Sequence, residues 1–65
     1  VTSDDRFRRL RHDLSNPLSA ILAETQLLLL RAGELDEETV TSLKEIEALA
    51  RRMRTMLRET GETPS

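Results

Sequence analysis

Arg31-Ala32-Gly33-Glu34-Leu35-Asp36-Glu37-Glu38 is the stretch on which the fold turns. Gly33 reads as the C′ residue that ends one helix, with Arg31 in its last turn where a cation complements the dipole. Asp36 reads as the N-cap of a second helix, and Glu37 and Glu38 suit the positive end of that helix. Only Gly33-Glu34-Leu35 lies between them. So short a connection forces two neighbouring, antiparallel helices.

Outward from the turn, both sides carry apolar residues at helical spacing. Before it, Phe7, Leu14, Ile21 and Leu28 recur every seven residues. Leu10 and Leu18 fill the stripe, which drifts as a 3.6-residue helix would. Leu22 and Leu29 widen it. After the turn, Leu43, Ala50 and Leu57 recur at seven, with Ile46 and Met53 three residues behind the first two. Val40, Leu49 and Met56 broaden that face. The expected boundaries are helix one over about 4–32, capped by Ser3 or Asp4, a turn at 33–35, and helix two over about 36–60. Gly61 and Pro64 leave a frayed tail over 61–65. Each helix has more apolar surface than one partner can cover. The expected fold is therefore all-α, an antiparallel two-helix hairpin forming a homodimeric four-helix bundle.

Composition agrees. The 65 residues allow one domain, and a chain this short is marginal alone. No cysteine is present, so neither a disulfide nor a thiolate metal site can staple it, and one histidine cannot build a histidine-rich metal site. The chain is 34% charged and 37% hydrophobic with Phe7 as its single aromatic, a mixture that favours helices over sheet. A net charge of −2 and the lack of a recognition-helix pattern give nucleic acid binding little support. The longest leucine run, Leu27 to Leu30, is far short of a membrane span, and no signal peptide is visible.

The chemistry gathers in His12-Asp13-Leu14-Ser15-Asn16-Pro17-Leu18. With Phe7, Leu14 and Ile21 as a positions, His12 and Ser19 fall at f and Asn16 at c, so the three share an outward face. A lone surface histidine usually has no role, but here it comes with an adjacent carboxylate, an amide one turn on and a proline. Pro17 lacks an N–H and withholds the helical partner of the Asp13 carbonyl, at roughly 3 kcal/mol in a helix interior. The bland reading makes Pro17 the first residue of a new helix capped by Asn16. The apolar stripe runs in phase through it, which favours a kinked but continuous helix. A neutral imidazole is a nucleophile near neutral pH. Asp13 is placed to orient the ring and take its proton. Asn16 can hydrogen-bond a phosphoryl oxygen or hold a water. Arg6, Arg8, Arg9 and Arg11 flank His12, and an antiparallel hairpin brings Arg51, Arg52, Arg54 and Arg58 to the same end. Eight of the ten basic residues then surround the histidine, a field that attracts phosphate and acidic surfaces.

These residues resemble the H-box of the sensor histidine kinases, in their dimerisation and histidine-phosphotransfer domain. The family pattern is a histidine, an acid, two variable residues, Thr or Asn, Pro and Leu. Every fixed position matches, and the resemblance covers roughly Asp5 to Thr60. It implies that His12 is the phosphoacceptor, Asp13 the general base of autophosphorylation, and Asn16 the residue that positions water when a phosphorylated regulator is dephosphorylated. Pro17 would be a hinge between signalling states. Ser15, Ser19 and Leu22 would lie near the docking surface for a response regulator. The implied partners are a second copy of the chain, an ATP-binding catalytic domain and a receiver domain of a response regulator, with no nucleic acid and no membrane contact. ATP and Mg would enter through the catalytic domain, whose Asn-, Gly- and Asp-rich boxes this chain lacks. The chain accordingly reads as a cytoplasmic domain of a longer kinase, which is itself free to be membrane-anchored, without autokinase activity of its own. The alternatives are a stand-alone dimeric phosphotransfer module and a plain dimerising coiled coil with an incidental His12. The second explains the heptads but not Asp13, Asn16 and Pro17 together.

Overall fold

The computed structural model describes the backbone of residues 3–61 and the side chains of residues 5–59. Helix α1 (Ser3–Leu29) and helix α2 (Glu37–Gly61) are joined through a 3-10 turn at Ala32–Glu34. They pack as one antiparallel hairpin about 49 Å long. Helix α1 runs unbroken through Pro17, so the continuous-helix reading holds.

The turn departs from the sequence reading. Helix α1 stops at Leu29 rather than Ala32, and Gly33 does not adopt the positive φ of a C′ glycine. The end carbonyls find partners in a tightening spiral instead. Leu30 N–H donates to the Gln26 carbonyl at 3.1 Å, Arg31 N–H to Leu28 at 3.0 Å, and Glu34 N–H to Arg31 at 2.9 Å. The first spans four residues and the other two span three, and such i,i+3 bonds satisfy end carbonyls without a left-handed cap. Arg31 thus lies beyond the last turn, and its Nε pairs with Glu34 Oε2 at 3.1 Å across the bend. Asp36 does cap α2: the Thr39 N–H donates to its Oδ1 at 2.7 Å. Helix α2 extends to Gly61, one residue past the expected end. Capping side chains at Ser3 and Asp4, and the tail from Glu62 onward, lie outside the described residues.

Each helix carries two apolar stripes, and only one of them faces the other helix. In α1, Arg11, Ser15, Leu18, Leu22, Thr25 and Leu29 are buried or half-buried. In α2 the equivalent line is Val40, Leu43, Glu47, Ala50 and Leu57. These face each other inside the hairpin. Leu18, Leu22 and Ala50 form its core, with Leu57 packed against them. Thr25 is also buried, and its hydroxyl is satisfied by the Ile21 carbonyl at 2.6 Å. The heptad stripe that suggested the seam sits beside this line rather than on it. Leu10, Leu14, Ile21 and Leu28 each come one residue before a buried position and remain roughly half exposed. Leu49 and Met56 do the same on α2. Of these, Leu14, Ile21 and Met56 line an open apolar groove along one side of the hairpin, together with Pro17, Leu18, Met53 and Leu57.

Candidate functional site

Helix phase places the polar residues opposite that groove. A residue advances by about 100° around an α-helix, so the residue after a buried position lies on the other flank from the residue before it. His12 follows Arg11 and Ser19 follows Leu18. Both are exposed, as is Asn16, one turn after His12. The His12 side chain is 78% exposed, so an incoming group meets no steric barrier there. The single histidine is therefore held on a rigid helix, pointing to solvent, on the flank away from the apolar face.

Asp13 is adjacent but not bonded to the ring. His12 Nδ1 lies 3.9 Å from Asp13 Oδ1, beyond hydrogen-bond length and within range of a charge interaction when the ring is protonated. Pro17, exposed on the next turn, offers no N–H to the Asp13 carbonyl. Ser15 is turned inward: its hydroxyl donates to the Arg11 carbonyl at 2.7 Å and is half-buried. Leu22 differs most from its expected role. It is 4% exposed at the centre of the hairpin core, so it cannot belong to a docking surface. It follows Ile21 on the apolar repeat, and periodicity alone did not show which of the two turned inward. The structure brings His12, Asp13, Asn16 and Ser19 to one accessible stretch and withdraws Ser15 and Leu22 from it.

The arginines divide in the same way. Leu57 lies in one groove wall with Leu14 and Leu18 opposite, so this end of α2 runs beside the His12 end of α1. Arg51 follows Ala50 and Arg58 follows Leu57, which puts both on the flank of His12. Two facing right-handed helices that run in opposite directions turn their following residues to the same side of the pair. Arg8 is four residues before His12 and neighbours it on the same face of α1. Arg52 points away from α1. Of the α2 set, Arg51 pairs with Glu47 at 3.3 Å. No ion pair engages Arg8, Arg52 or Arg58 within the described residues. Sequence reasoning grouped these arginines by level; the signal that separates them is their phase relative to Ala50 and Leu57.

Among the described residues no group of three or more His, Cys, Asp or Glu side chains could hold a metal ion, and no helix is long and apolar enough to cross a membrane. No curated protein and no solved structure matches the chain. Residues 4–60 match the family described as the His Kinase A (phospho-acceptor) domain. That match spans both helices, the turn and the whole His12 motif, and the chain belongs to the His Kinase A phosphoacceptor family.

Proposed function

We propose that this chain is the dimerisation and phosphoacceptor unit of a two-component sensor kinase. His12 accepts a phosphoryl group from ATP held on a separate catalytic domain and passes it to an aspartate of a response regulator. The observation that carries this reading is the placement of the one histidine of a phosphoacceptor family, exposed on a helix flank beside Asp13 and Asn16. A ring nitrogen attacks the phosphorus, and Asp13, 3.9 Å away, takes up the ring proton after a small side-chain rotation. Asn16, one turn on, holds the water for the reverse, phosphatase reaction. The exposed Ser19 belongs to the regulator's docking surface. Pro17, lacking a backbone bond to Asp13, is the hinge at which α1 bends between states.

The partner for the bare apolar side is a second copy of the chain. Its groove, lined by Leu14, Ile21, Met53 and Met56 among others, runs along both helices as a bundle seam does. Two hairpins joined there form a four-helix bundle with both His12 flanks outward, which accounts for surface that a lone hairpin leaves in water.

His12→Gln tests the acceptor assignment. The chain is mixed with the ATP-binding domain of its kinase and labelled ATP, and acid-labile, base-stable phosphate is followed. The wild type is expected to label and His12→Gln to remain unlabelled. Equal labelling of the two would refute the assignment.

A further inference from the structure

The phosphoacceptor reading leaves one feature of its flank unused. A phosphoryl group moving to His12 carries negative charge on three oxygens, and Asp13 can only repel it. The cations that could meet those oxygens are decided by helix phase. Arg8 stands one turn before His12 on the same side of α1. Arg58 stands across the hairpin on α2, one residue past Leu57, on the flank that His12 occupies. Both side chains are exposed and neither is committed to an ion pair within the described residues. Arg51, further along the same line, is held by Glu47; Arg54, three residues before Leu57, lies on the same flank but closer to the hairpin interior. The acids of the turn, Glu34, Asp36, Glu37 and Glu38, lie at the far end of the hairpin and do not neutralise this flank.

From this placement we infer that Arg8 and Arg58 form a two-helix phosphoryl-binding rim around His12, with Arg8 supplied by α1 and Arg58 by α2. The inference rests on His12 being the acceptor. Guanidinium groups offer planar, paired N–H donors that match phosphoryl oxygens, and their charge is permanent. Charge spread over the equatorial oxygens during transfer strengthens the contact as the reaction proceeds. The rim also gives the hairpin a chemical purpose for its register: slippage of α2 by one turn would carry Arg58 away from His12 while leaving apolar packing largely possible.

Phosphoramidate, a small-molecule donor, tests the rim without any partner protein. A His12 nitrogen lone pair forms the new N–P bond and the donor's P–N bond breaks. Its electron pair leaves with ammonia, and the other ring N–H proton passes to Asp13 or water. The rate of phosphohistidine formation is read by mass spectrometry and 31P NMR at low and high salt, with circular dichroism confirming helix content. The Arg8→Gln/Arg58→Gln double variant is expected to react roughly three- to tenfold more slowly at low salt, converging on the wild type as salt screens the charges. Arg8→Lys/Arg58→Lys recovers most of the rate. Arg52→Gln, which removes a charge from the other side of α2, stays within about twofold of the wild type, since distant exposed charges act weakly. Equal rates for the double variant and the wild type overturn the rim, as does an equal slowing by Arg52→Gln, which would reduce the effect to net charge. A wild-type chain that takes no phosphoryl at His12 refutes the acceptor assignment itself, a result distinct from both.

Discussion

Ile21→Ala separates the two apolar stripes most sharply. Ile21 and Leu22 are consecutive leucine-like residues in one helix, yet Leu22 is 4% exposed within the hairpin and Ile21 is 48% exposed. Full burial of an isoleucine side chain is worth about 1.5–3 kcal/mol, so covering the exposed half of Ile21 is worth roughly 0.7–1.4 kcal/mol per protomer. A symmetric dimer counts that twice, so truncation raises the dimer Kd by roughly tenfold to a hundredfold. Sedimentation equilibrium across a dilution series measures it. Leu27→Ala is the matched control: Leu27 is 57% exposed but lies off the groove, and its Kd is expected to stay at the wild-type value. An unchanged Kd for Ile21→Ala, or an equal change for Leu27→Ala, would refute the assignment of the groove to a second copy.

Other substitutions test the hairpin itself. Leu22→Ala should cost about 2–5 kcal/mol in urea unfolding, because it empties the small core shared with Leu18 and Ala50. Pro17→Ala should raise stability by up to about 3 kcal/mol, by restoring the N–H to Asp13, and should shift the balance of kinase to phosphatase output if Pro17 is the hinge. Gly33→Ala should raise thermal stability, by about 0.4–1 kcal/mol, since the backbone there has no positive φ and an added Cβ meets nothing within 4 Å; a loss would restore the left-handed cap. The Thr39 hydroxyl, and after it the Thr39 N–H, holds the Asp36 carboxyl below its ordinary 3.8. The stabilisation from this cap is therefore complete above the unfolded carboxylate's value and is lost as pH falls through the lowered folded one. Thermal melts of Asp36→Ala should match the wild type in strong acid and fall below it near neutrality.

Much of this was legible in the chain. Apolar spacing and the short connection specify a helical hairpin, and Asp36 announces its own helix because a carboxylate three residues before Thr39 has a definite capping geometry. The turn was less legible: Gly33 is compatible with a left-handed cap, but 3-10 bonds from Arg31 and Glu34 close the helix end instead, and no residue type distinguishes the two in advance. The choice between Ile21 and Leu22 was hidden for a related reason. Periodicity reports that a helix has an apolar face but not where, within a broad face, one neighbour ends and the next begins. At the site, phase alone located His12, Asn16 and Ser19 on the outer flank, whereas the inward turn of Ser15 depends on its bond to Arg11, which spacing does not encode.

Leu14, Ser15 and Asn16 are neighbours in the chain with three separate destinations: the bare groove, the interior of the hairpin and open solvent. Such an arrangement makes the molecule unequally tolerant of genetic change. Point substitutions along the solvent flank disturb neither the hairpin core nor the apolar groove. Deletion of one codon between Leu10 and Leu18 would instead rotate all that precedes it by about 100° relative to the core. His12 would be turned out of its flank and the apolar residues that precede it out of register. Within this helix the number of residues is held more tightly than their identity.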